Sequence, residues 1–239
     1  DMLHYGLLPR HPDWAPFLAR LRYVVLDELH AYRGVFGTHV ALILRRLLRL
    51  ARHYGASPQV LAASATIANA REHAEALTGL PFEELKAQVA RTERELLVLL
   101  PKPLDRRGER RRSPLLEAAY LARRLAEAGL KGLVFAGARK SAELIARYAA
   151  HPLVRPYRAG YTARERRRLE ADLKEGRVRV LVSTSALELG VDIGELDAVV
   201  LVGYPGSTAA FWQRAGRAGR GERRALLVYI PREDPMDEY

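Results

Sequence analysis

Four polar clusters in this sequence carry residue types whose spacing could do chemistry. Asp27-Glu28-Leu29-His30 sets two adjacent carboxylates and an imidazole directly after the apolar run Tyr23-Val24-Val25-Leu26. Such a pair suits a magnesium–phosphate centre, one carboxylate holding the ion through water while its neighbour polarises an attacking water. The same tetrapeptide also reads as a solvated acidic strand end. Gln213-Arg214-Ala215-Gly216-Arg217-Ala218-Gly219-Arg220 places Arg217 and Arg220 three apart. On a helix both guanidiniums would share one face and could reach a γ-phosphate. Its two glycines cost roughly 1 kcal/mol each in a helix relative to alanine; a merely solvated basic helix has no need of them, whereas close approach of a backbone or ligand does. Ser64-Ala65-Thr66, and Ser183-Thr184 with residues 188–192 beyond, are weaker signals. Small hydroxyl residues after a strand are also ordinary caps and turns.

These clusters need elements to hold them. Residues 23–26 read as a short buried parallel strand and 59–63 as a second strand, and apolar positions at helical spacing (Val40, Ile43, Leu44, Leu47, Leu48) predict a helix over 37–53. Asn69 is placed to cap a helix to about Leu77, which Thr78-Gly79 and Pro81 end. An extended strand is expected over 95–100. The stretch 101–114, PKPLDRRGERRRSP, combines three prolines, a glycine and six cations and reads as an exposed linker or long loop. A second alternation follows, with strands at 132–136, 154–157, 178–183, 198–202 and 225–230. Its helices are expected at 114–128, 141–149, 162–174 and 208–218. The expected organisation is therefore α/β, with units at 1–100 and 114–239 joined by a linker at 101–113. All four clusters fall after predicted strands, at the carboxyl edge where open parallel sheets bind ligands.

Composition narrows the chemistry. The 239 residues carry 39 Lys and Arg against 28 Asp and Glu, a net charge of +11, and 49% of them are hydrophobic. The charge is uneven: residues 1–100 hold a net +2 and residues 101–239 a net +9, and 34 of the 39 cations are arginine. Arginine presents a planar fork suited to phosphate, which points to nucleic acid or nucleotide; a genome that prefers arginine gives the same composition. Cysteine is absent, which removes disulfides, Cys-ligated zinc and thiol nucleophiles, and fits a cytoplasmic protein. No apolar run approaches the ~18 residues of a spanning helix, so no membrane partner is expected. The first residues, DMLHYGLLPR, carry no signal-peptide pattern and begin with Asp, as in a piece of a longer chain. Gly132-Leu-Val-Phe-Ala-Gly137 has phosphate-loop glycine spacing, but Ala138 stands where lysine is required and the stretch reads as a strand. The seven histidines show no metal spacing, and there is no G-x-S-x-G elbow. Arg164 to Arg168 read as the wet face of a helix.

Taken in order, the clusters resemble the motifs of superfamily 2 helicases of the DExH type. DELH (27–30) resembles motif II, SAT (64–66) motif III, LVFAGARKSAEL (133–144) motif IV, VSTSALELGVDIG (182–194) motif V and QRAGRAGR (213–220) motif VI. The wording of VVLDELHAYRGVFGTHVALILRRL, ASATIANA and LELGVDIGELDAVVLVGYPG is similar to the mitomycin repair factor A branch of DNA repair helicases, related to RecQ-like homologues. The opening DML resembles the tail of that branch's motif Ib.

The resemblance implies two RecA-like parallel-sheet units of the P-loop NTPase type, the first incomplete, with ATP and Mg²⁺ as cofactors and DNA as partner. It implies that Asp27 holds Mg²⁺ through water and Glu28 positions the hydrolytic water. His30, Ser64 and Thr66 would couple nucleotide state to contact between the units. Thr184 would touch a nucleic-acid phosphate, with Arg139 and Lys140 as further backbone contacts. Gly190 and Asp192 would bind the nucleotide, Asp192 at the ribose. Gln213 would face the γ-phosphate or attacking water, and Arg217 and Arg220 would act as arginine fingers.

One departure matters. No G-x-x-x-x-G-K-[ST] occurs in the chain, so motif I, with its lysine and glycine cradle for the β- and γ-phosphates, is missing. The chain by itself is therefore expected to hydrolyse ATP poorly or not at all, while its parent should do so. The competing reading is a stand-alone nucleic-acid-binding scaffold without ATPase activity. A metal-dependent hydrolase built on Asp27, Glu28 and His30 lacks further ligands at suitable spacing.

Overall fold

The computed structural model describes residues 1–64, 69–85, 93–105, 111–187, 193–219 and 224–232. The chain divides into two compact units, Asp1–Gln88 and Val89–Tyr239.

In the first unit a π-helical turn, Met2–Leu7, and the short helix α1, Ala15–Leu18, lead into β1, Tyr23–Leu26. A 3₁₀ turn, Leu29–Ala31, precedes α2, Gly34–His53; β2, Gln59–Ala62, and α3, Ala70–Thr78, follow. β1 and β2 pair in parallel, with Tyr23 opposite Gln59 and Leu26 opposite Ala62. The periodic apolar face of α2 is buried at Leu44, Leu47, Leu48 and Ala51, and Leu47 packs with Leu7, Leu8 and Leu18. Asn69 takes the N-cap position of α3 without a side-chain capping bond, and Gly79 ends the helix at φ +74°. The expected burial of β1 is corrected. Tyr23, Val25 and Leu61 are 54%, 65% and 45% exposed, because nothing among the described residues covers that face of the two-stranded sheet.

The second unit is a six-stranded parallel sheet in the order β3-β8-β7-β4-β6-β5. Its elements in chain order are β3, Arg94–Val98, α4, Pro114–Glu127, and β4, Gly132–Phe135. Then come α5, Arg139–Ala149, β5, Val154–Tyr157, α6, Ala163–Lys174, and β6, Val180–Ser183. β7, Ala198–Val202, α7, Thr208–Ala215, and β8, Ala225–Ile230, complete it. Alternate strand residues face opposite sides, as the pleat requires. Val134, Val182 and Val200 pack with Ala118, Ala122 and Ile145 of α4 and α5. Leu133, Leu181 and Leu201 pack with Leu173 of α6 and Ala215 of α7. Ser113 and Pro114 open α4 as N-cap and first helical residue, the arrangement expected from their order. Tyr157 is buried under α6, where its hydroxyl donates to Glu170 Oε1 at 2.7 Å; burial, then that bond, pushes the phenol up to about 12.

The expected boundary at residue 100 is corrected, and residues 106–110 of the expected linker at 101–113 lie outside the described residues. β3 pairs with β8 over five residues, from Arg94 opposite Ala225 to Val98 opposite Tyr229, so it belongs to the second sheet. The described residues on either side of 106–110 are held as well. Pro103 bridges Arg111, Arg112 N donates to Lys102 O at 2.8 Å, and Arg112 Nε pairs with Glu117 Oε1 at 3.4 Å. The periodicity of β3 shows an extended run but not its partner, and ladder pairing decided its allegiance.

Candidate functional site

In the first unit the candidate residues gather where β1 and β2 end together. Leu26 lies opposite Ala62, and the ladder continues as Ala63 N donates to Leu26 O at 2.8 Å and Leu29 N donates to Ala63 O at 2.9 Å. That register places Asp27 and Ser64 on one edge. Asp27 is exposed, and its Oδ1 accepts Glu28 N at 2.8 Å, which leaves the other oxygen free of that bond. Glu28 adopts the left-handed conformation (φ +51°, ψ +48°), unusual for a residue with a side chain. It turns the chain sharply at the strand end and brings Glu28 Oε2 to 3.3 Å from His30 Nδ1.

The same nitrogen lies 3.5 Å from Ser64 Oγ. One nitrogen cannot serve both partners with the same proton. Protonated, Nδ1 donates to the Glu28 carboxylate; unprotonated, it accepts from the Ser64 hydroxyl. The loop is fastened from behind by His73 of α3, whose Nε2 donates to Leu29 O at 3.2 Å. Sequence reasoning missed His73, which lies 44 residues from its partner with no local signal. Thr66 lies outside the described residues.

In the second unit the ladder sets Phe135 opposite both Ser183 and Leu201, so the carboxyl ends of β4, β6 and β7 share one edge. Arg139 and Lys140 open α5 after β4 and are exposed, and the N-cap Ala138 makes no side-chain hydrogen bond to the first turn. Free amides and two cations at a helix start favour an anion. Thr184 follows β6 and is half-buried; Ser183 before it is fully buried, its hydroxyl without a partner among the described residues.

Ser207 caps α7 by accepting Ala210 N at 3.1 Å, and Gln213 lies half-buried on the helix. The expectation that Arg217 rides on the helix is corrected: α7 ends at Ala215. Arg217 N and Ala218 N donate three residues back, to Arg214 O and Ala215 O, and Gly219 N leaves to Leu196 O. The glycines permit this ending. A Cβ on Gly216 would lie 3.1 Å from Trp212 O, and Gly219 takes φ +73°. Arg217 is nonetheless buried at 6% exposure, and the Arg214 guanidinium sits 5.3 Å from the centre of the Phe135 ring. Gly190, Asp192 and Arg220 lie outside the described residues.

Among the described residues no cluster of three or more His, Asp or Glu side chains could hold a metal ion, and no helix is long and apolar enough to cross a membrane. A lone exposed carboxylate such as Asp27 fits an ion bound mainly by water and phosphate oxygens, as Mg²⁺ is in phosphate sites.

Comparison with known proteins places both units. Residues 2–75 match the DEAD/DEAH box helicase family and residues 115–222 the helicase conserved C-terminal domain. The whole chain is 42% identical to an uncharacterized ATP-dependent helicase, YprA, of Bacillus subtilis, and 35% identical to the ATP-dependent helicase hrq1 of Schizosaccharomyces pombe. It spans only 33% and 24% of those proteins. Among solved structures it is similar to the DUF1998 helicase MrfA bound to DNA and AMPPNP, with a TM-score of 0.90 and 42% identity over the whole chain and 34% of MrfA. It is also similar to the Mycobacterium smegmatis helicase Lhr bound to ssDNA and AMP-PNP, with a TM-score of 0.77 and 32% identity over 94% of this chain and 30% of Lhr.

Proposed function

We propose, because this chain belongs to the superfamily 2 helicases, that it supplies the hydrolytic and arginine-bearing parts of an ATP-dependent DNA helicase acting in DNA repair in the cytoplasm. The observation that carries the reading is the Asp27-Glu28-His30-Ser64 constellation at one strand edge, in the same chain as the buried Arg217. Both units then contribute residues to one ATP hydrolysis cycle that drives movement along a DNA strand. Relatives in complex with DNA and a non-hydrolysable ATP analogue support the partner and the cofactor.

In this reading Glu28 orients the attacking water and accepts its proton, and Asp27 would hold Mg²⁺. The ion, when bound, supplies charge neutralisation on the phosphates. Gln213 orients the γ-phosphate side of the site, and Arg217, with Arg220, stabilises charge developing on the transferred group, a contribution of about 10³–10⁵ in rate where such arginines act. Arg139, Lys140 and Thr184 take nucleic-acid phosphates, while Gly190 and Asp192 hold the nucleotide. His30 passes the Glu28 state to Ser64, and Thr66 acts beside it. The chain lacks the motif I lysine and glycine cradle, so efficient turnover belongs to a protein that supplies it. A scaffold without ATPase activity has no use for Glu28 together with Arg217.

The test is Glu28→Gln in the intact protein. ATP binding is retained and turnover falls by at least about 10², the scale of a lost general base. Unchanged turnover rejects the assignment.

A further inference from the structure

A groove of about 500 Å³ runs beside the edge strand β5 and helix α6 of the second unit. Its walls carry Arg155, Arg168 and Arg177 against Glu165 and Asp172. Both carboxylates are already engaged. Glu165 Oε2 accepts Thr162 N and Thr162 Oγ1, each at 2.8 Å, in the capping box that starts α6. Asp172 Oδ1 accepts Arg177 Nε at 2.6 Å, and Arg168 Nε stands 3.9 Å from the other oxygen.

Arg155 has no such neutralisation: its side chain is exposed, and its guanidinium makes no hydrogen bond or ion pair with any described residue. Arg164 and Arg167 are likewise exposed and unpaired among the described residues, and with Arg168 they form one face of α6. Arg164 and Arg168 are one turn apart, about 6 Å along the axis. The candidate site residues lie elsewhere, none of them lining this groove; Pro152 and Val178, which do, precede the amino ends of β5 and β6.

We infer that this groove and the adjoining exposed face of α6 form a second nucleic-acid contact, in which Arg155 and Arg168 in the groove and Arg164 beside it take phosphates of a single strand that continues past the candidate site, without reading its bases. Guanidiniums spread over a turn of helix and a neighbouring strand exceed the reach of one phosphate and match a polyanion. Arginine forks suit phosphate oxygens. The inference rests on the proposed function only for the identity of that polyanion.

The intact protein tests it. The affinity for a long mixed-sequence DNA single strand is measured against salt for the wild type and for R155A/R164A/R168A. Each lost phosphate contact on a single strand removes about 0.7 from the slope of log K against log salt, so the slope falls by about 2. A strand too short to leave the candidate site binds both proteins equally, basal ATP turnover is unchanged, and R155K/R164K/R168K restores the slope. Equal slopes on the long strand overturn the inference, as does equal loss on the short strand or protection of these arginines by ATP alone. Failure of Glu28→Gln to stop turnover would strike the helicase reading and leave this salt slope unaffected, so the two failures are distinguishable.

Discussion

Glu28 holds its carboxylate at the edge of β1 through a backbone conformation that a side chain disfavours. The left-handed region costs a non-glycine residue about 1–2 kcal/mol, and here φ is +51°. The bonds Glu28 N to Asp27 Oδ1 and Leu29 N to Ala63 O, at 2.8 and 2.9 Å, hold the turn against that cost. Strain of this kind collects at functional sites. Glu28→Gly should therefore raise the stability of the intact protein by roughly 0.5–1 kcal/mol, part of the strain relief being offset by the freer unfolded chain, while turnover is lost. Urea unfolding beside an ATPase assay checks both; a protein destabilised by the glycine would show that the turn is unstrained. The identities at this site were readable because carboxylates, imidazole and hydroxyl lie in short runs after apolar strands. The single His30 nitrogen shared between Glu28 and Ser64 was not readable, nor was the His73 bond to Leu29 O. Both depend on side chains that only the folded backbone brings within reach.

Elements decide how those residues are presented. The predicted helix over 208–218 stops at Ala215 because the backbone tightens at Gly216 and then departs at Gly219 to donate to Leu196 O at 3.1 Å. Arg217 is thus fixed by a turn, which explains the glycines better than a continuous helical face does. Gly219→Ala forces a side chain into φ +73°, which costs about 1–2 kcal/mol and moves Arg217. The expected outcome is a lowered melting temperature with turnover reduced more than nucleotide affinity. Kinetics matching the wild type would show that the turn does not position Arg217. Helix interiors were legible from their apolar spacing, and the ends of α3 and α4 from Gly79 and from Ser113-Pro114. The end of α7 was not, since helical periodicity runs on through glycines that a helix tolerates at modest cost.

At the scale of the whole chain, the division between units falls before β3. A chain beginning at 89 keeps the β3–β8 ladder; one beginning at 101 loses it and uncovers Leu227 and Tyr229 of β8, which lie beside Leu96 and Val98. The longer piece should melt cooperatively and the shorter one at a lower temperature or not at all, as followed by circular dichroism. Equal melting of the two would return β3 to the role of a tether. The α/β class, the alternation of strand and helix and the residue types of each cluster were legible in the sequence, because apolar periodicity and residue type are local properties. Only the tertiary structure decided which sheet β3 joins, how the stretch after it is pinned to α4 at Glu117, and where α7 releases Arg217. Strand partnership and backbone docking arise between residues far apart in sequence, and nothing in a local window encodes them.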